Sequence, residues 1–116
     1  MRKLLFLVAA VALAERPWPP AGMQCPERTL VIMEMQQANA SKIGDFYDAH
    51  LAYLLPPMKS GKIVSAGPTT DGRGVIVFGT KDWAEVEEIL KEEPFTREGV
   101  MKIASHTVWN ACEPVK

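Results

Sequence analysis

Cysteine and histidine are scarce, with two of each in the chain, and neither recurs at the close ligand spacings that a zinc site needs. No serine or cysteine stands in a recognisable triad pattern. The glycines that come closest to a phosphate-binding loop, Gly72 and Gly74, sit in a hairpin and not between a strand and a helix. These absences predict neither metal nor cofactor. Positive charge is not in excess: 13 basic residues stand against 14 acidic ones, so the electrostatic footprint of a nucleic-acid binder is missing. No internal repeat is present, and no apolar run reaches the roughly 20 residues that span a bilayer.

What is present begins with Arg2 and Lys3, followed by an apolar run from Leu4 to Ala14, after which Glu15 and Arg16 restore charge. A short basic segment before an apolar one reads as a secretory signal. Ala12 and Ala14 supply the small residues that a signal peptidase requires, so cleavage is expected after Ala14. A buried core helix is the competing reading, but two cations directly before an unbroken apolar run fit it poorly. No cysteine stands at the expected cut, so no lipid anchor and no stable membrane anchor should remain. Cleavage would remove two of the 13 basic residues and none of the 14 acidic ones, leaving a net charge near −3. The protein is therefore expected outside the cytoplasm, periplasmic or secreted.

Residues 15–26 hold four prolines and read as an irregular leader. Residues 27–116 suit one domain with one core, which spans about 27 to 112. Cys25 and Cys112 flank that core, and in an exported chain they are a disulfide candidate. Such a bond closes a long loop, for which chain entropy gives about 4 to 5 kcal/mol. Two unpaired thiols are the alternative.

Thr29 to Gln36 is rich in β-formers and reads as a strand. Asn39 or Ser41 can cap a helix in which Ile43, Phe46, Tyr47, His50 and Leu54 recur at helical spacing, and Pro56 and Pro57 are expected to end it near Leu55. Lys62 to Thr69 and Gly74 to Gly79 form a hairpin. Thr80 can cap a second helix with a stripe of Trp83, Val86, Ile89 and Leu90, which Pro94 should stop. Met101 to Trp109 is the last strand. The order is β-α-β-β-α-β, an α+β ferredoxin-like arrangement with an antiparallel four-stranded sheet. Its first and last strands are neighbours, which brings Cys25 and Cys112 to adjacent ends.

Three blocks carry a resemblance: His50-Leu51-Ala52-x-Leu54, then Gly61-Lys62-Ile63-Val64-Ser65-Ala66-Gly67-Pro68, and Glu93-Pro94-Phe95-x-x-x-Gly99-Val100. Over about Leu30 to Trp109 the sequence resembles the YCII-related (YciI-like) family of the dimeric α+β barrel superfamily. The resemblance implies a homodimer formed through the open sheet face and a pocket for a small, often ring-containing ligand. One branch of the family looks like dehydrochlorinases of chlorinated hydroxyquinols, in which a histidine and an aspartate are the proposed working pair. The chain departs from the family at Gln36 and Glu93, where an aspartate is usual, and at Tyr47, where an arginine is common.

His50 lies on the apolar stripe of the first helix and should point toward the sheet, either as a general base near neutral pH or as a core histidine bonded to a backbone carbonyl. Glu93 either orients that imidazole or is a solvated helix-end acid of the Glu92-Glu93 run. Gly67 and Pro68 let a ligand approach the backbone, or simply turn the chain, and Ser65 shares a face with Gly67. Glu34 interrupts an apolar strand and lines the pocket or the dimer face; Tyr47 is the remaining candidate ligand contact. Strict alternation places His106 with Lys102 and Ala104 at an interface or surface. Two functions stay open. One is a cofactor-independent lyase, dehydrochlorinase-like, or isomerase with His50 and Glu93 as its working pair. The other is a non-catalytic binding or structural homodimer of the cell envelope, favoured by the family departures.

Overall fold

The computed structural model describes residues 16–116, so the expected signal at 1–14 lies outside the described residues. Two compact units result, one ending at Pro26 and resuming at Ala111, the other Glu27–Asn110. In the first, Met23–Gln24 pairs antiparallel with Glu113–Pro114, Gln24 Nε2 donates to Glu113 Oε1 at 2.9 Å, and Cys25 and Cys112 form a disulfide. The stretch read as an irregular leader thus contributes a short strand.

The second unit runs β1 (Glu27–Met35), a 3₁₀ helix (Gln37–Lys42), α1 (Ile43–Ser60), β2 (Ile63–Pro68), β3 (Gly74–Phe78), α2 (Trp83–Lys91), α3 (Pro94–Arg97) and β4 (Met101–Asn110). The sheet order is β2-β3-β1-β4, antiparallel throughout. This is the expected ferredoxin-like arrangement, extended by the short α3. Alternation along β1 buries Thr29, Val31 and Met33 on the face where Leu54 of α1 and Val86 and Leu90 of α2 complete the core with Ile63, Ile76 and Phe78. Burying each such aliphatic or aromatic side chain contributes about 1.5–3 kcal/mol. Leu30 and Ile32 pair with Val77 and Val75 on the other face. Among the described residues no helix is long and apolar enough to cross a membrane.

Several local expectations are corrected. Helix α1 does not stop at Leu55 but continues through Pro56 and Pro57 to Ser60. Proline's fixed φ is itself helical, and tertiary anchors hold the turn: Leu54 is buried, and the Tyr53 hydroxyl donates to Ile89 O at 2.7 Å. Burial, with the negative charges of Glu92, Glu93 and Glu88, pushes the Tyr53 phenol up, so it stays protonated as a donor. The helix ends instead at Gly61, whose φ of 84° favours a residue without a Cβ. Asn39 and Ser41 do not cap α1; the Asn39 amide donates to Gly99 O at 3.0 Å. Asp82, not Thr80, caps α2, accepting from Ala84 N at 3.1 Å.

His106 is also displaced from its expected face. The β1–β4 register slips between Ile32 and Met33, pairing them with Ser105 and Ile103 and leaving Ala104 out. A one-residue bulge reverses the alternation beyond it. His106 therefore sits opposite the core residue Val31 and stacks on Trp83 of α2, with ring centroids 3.6 Å apart and planes 9° from parallel.

Candidate active site: a histidine on a buried glutamate

His50 lies on α1, on the side that packs against α3. Its Nδ1 hydrogen-bonds Glu93 Oε1, and its ring lies flat on Phe95, centroids 3.9 Å apart at 10°. The imidazole thus meets α3 and the residue before it, not the sheet strands toward which the helical stripe was expected to point. Its side chain is 20% exposed while that of Glu93 is only 2% exposed.

Glu93 is not the end of the second helix, which finishes at Lys91. It is the N-cap of α3, with Pro94 in the first helical position. Proline suits that position because its missing N–H would have no helical partner there. Glu93 Oε2 accepts from Thr96 N at 3.0 Å and from Thr96 Oγ1 at 3.1 Å. Burial by itself would push this carboxyl up; the hydrogen bond from His50, together with those from the Phe95 and Thr96 backbone, outweighs it and holds the group below its ordinary value. Glu93 is therefore a carboxylate at neutral pH. A carboxylate only accepts, so His50 Nδ1 carries the proton of this hydrogen bond and Nε2 is the ring nitrogen left over for other partners. Nε2 has no protein hydrogen-bond partner among the described residues.

The remaining candidates are dispersed. Tyr47 is one helical turn before His50 and half exposed. Gln36 follows β1, its N–H donating to Val100 O at 2.8 Å. Ser65 and Gly67 lie opposite Val77 and Val75, on the sheet face away from the helices. Pro68 lies opposite Gly74. Glu34 is exposed and opposite Lys102. None of Glu34, Ser65, Gly67 or Pro68 is brought to the His50–Glu93 pair. Sequence reasoning missed Phe95 and Thr96. The signal for Thr96 was Pro94 itself, which marks a helix start as readily as a helix stop, making Glu93 a cap and Thr96 its partner.

Residues 28–110 match the YCII-related domain. The chain belongs to the YCII-related family. This YCII-related fold is similar to that of 5-chloro-2-hydroxyhydroquinone dehydrochlorinase from Burkholderia phenoliruptrix AC1100, solved in complex with 2,5-dihydroxybenzoquinone. The TM-score is 0.56 at 28% identity, covering 77% of this chain and 93% of that one. No curated protein matches the YCII-related chain.

Proposed function

We propose that this YCII-related protein is a small cofactor-independent lyase or isomerase, in which His50 moves a proton on a small cyclic or aromatic substrate and Glu93 orients it. The observation that carries this reading is the His50–Glu93 hydrogen bond, made to a buried carboxylate whose other oxygen is already filled by Thr96. A carboxylate held this way sets the tautomer before substrate arrives and stabilises the imidazolium that forms when Nε2 takes a proton. The likeness to a dehydrochlorinase supports elimination of chloride from a chlorinated hydroxyquinol as the first reaction to assay. Proton transfer by a positioned side chain contributes about 10²- to 10⁴-fold. Chloride release should therefore fall by at least about 100-fold in His50→Ala, with circular dichroism unchanged; undiminished release by a folded variant would sink the assignment.

A second reading, a binding protein without turnover, draws on Phe95, which covers one face of the His50 ring. Thermal shift with 2,5-dihydroxybenzoquinone tests binding under either reading, since a ligand of the native state raises the melting temperature whether or not it reacts; a shift without chloride release from the chlorinated hydroxyquinol favours the second. A homodimer would form through the sheet face bearing Leu30, Ile32 and Val75, which no helix of this unit covers, with Glu34, Ser65 and Gly67 on that face. Export is supported by the basic-then-apolar run before Glu15 and by the Cys25–Cys112 disulfide, which suits an oxidising compartment.

A further inference from the structure

Helix α1 carries apolar side chains on more of its circumference than the core uses. Tyr47, Leu51, Leu55 and Met58 are each between 38% and 51% exposed, and their spacing of four, four and three residues lines them up as one stripe along the helix. Ile43, also exposed, extends it by a turn, while the core takes Leu54 instead. On the flank toward α2, Tyr53 donates to Ile89 O, and Ala52, Pro56 and Pro57 line a groove with Ile89. The stripe runs along the other flank, on the side of β2, which is an edge strand of the sheet. A solvated helix face normally carries polar side chains. These five residues leave on the order of 500 Å² of apolar surface in water, the size at which a patch on a single chain is often an interaction site.

We propose that this stripe docks on the same stripe of a second copy, with the two α1 helices antiparallel. The pattern is self-complementary. With a two-fold axis level with residue 53, Leu51 of one copy meets Leu55 of the other and Tyr47 meets Met58, so each contact occurs twice, as an isologous interface requires. The charges agree with that direction. Asp48 and Lys59 are exposed beside the stripe, and neither has an ion-pair partner among the described residues. The same axis brings Asp48 level with Lys59 of the other copy, again twice, whereas parallel helices in register would leave them about 16 Å apart along the axis. Two facing stripes bury about 1,000 Å², the lower bound of a specific interface, so the contact forms only in concentrated protein. It uses a different face from the proposed sheet-face homodimer, involves neither His50 nor Glu93, and assigns Tyr47 to a contact between copies.

Sedimentation of the full chain tests the proposal in the Ile32→Glu background, which removes the sheet-face contact. That variant should be monomeric at micromolar concentration and dimeric at several hundred micromolar, and Leu51→Glu added to it should keep it monomeric throughout. Asp48→Lys or Lys59→Asp alone should weaken the concentrated dimer by about tenfold at low salt, since each sets like charges together twice, and the two changes combined should restore it. These positions are exposed, so circular dichroism should not change. Absence of self-association at several hundred micromolar overturns the proposal. So does Leu51→Glu associating like its parent, or a charge reversal that has no effect or that the second reversal does not repair. If Ile32→Glu fails to fold, the same series in the parent reads the association step above the dilute species.

Discussion

At the scale of single residues, Glu93 is the group on which the site depends, because a buried carboxylate survives only where donors replace its water. His50, Thr96 and the α3 backbone supply them. The pH consequence has a definite sign. The folded-state pKa lies below the ordinary carboxylate value, so the stabilisation is fully present above about pH 4.5, the unfolded range. It is lost as pH falls through the lower folded value, where the folded carboxylate takes up its proton. Denaturant unfolding of the parent and Glu93→Gln should show a stability gap at neutral pH that closes as pH falls below about 4; a gap that persists undiminished in that acid range would contradict the account. Legibility was uneven here. His50 was visible as a polar residue on an apolar stripe, and Glu93 as an acid before a proline. Phe95 and Thr96 were not, since their roles exist only relative to Glu93 and a helix of one turn.

Among elements, the joint between the end of α1 and the start of β2 and the end of β3 is the tightest point. Gly79 donates its N–H to Lys62 O at 2.9 Å, and a Cβ on Gly79 would lie 2.5 Å from Gly61 O. Backbone atoms on both sides leave no flexible side chain to yield. Gly79→Ala should therefore cost about 1–3 kcal/mol of unfolding free energy, whereas an alanine at the exposed Gly44, which meets nothing within 4 Å, should cost nothing; equal behaviour of the two would refute the close approach. The four strands of the sheet and the two longer helices were readable from local periodicity, whereas α3, the 3₁₀ helix and the short strand Met23–Gln24 were not. Two further features also escaped it. Continuation of α1 through Pro56 and Pro57 depends on the Leu54 and Tyr53 anchors in other elements, and the β4 bulge that turns His106 onto Trp83 depends on registry with β1. Neither anchor nor registry is a property of a short window of sequence.

For the whole molecule, the disulfide spans 87 positions and restrains the unfolded chain across the entire second unit. Reduction, or Cys25→Ser with Cys112→Ser, should lower the unfolding free energy by about 2–5 kcal/mol in denaturant titrations; no change would mean the bond closes nothing the unfolded chain would otherwise explore. The sheet face opposite the helices makes a separate prediction. Ile32→Glu places a charge at the centre of that face, and sedimentation should show the parent as a dimer and the variant as a monomer; a monomeric parent would remove the proposed interface. Charge balance, the β-α-β-β-α-β order and the buried stripe of α2 were determined by the sequence alone, because they arise from residue counts and from repeats three to four positions long. That His50 and Glu93, 43 positions apart, share a proton-bearing hydrogen bond was decided only by the tertiary structure. It depends on where α3 packs against α1, and packing joins residues whose separation along the chain carries no period to read.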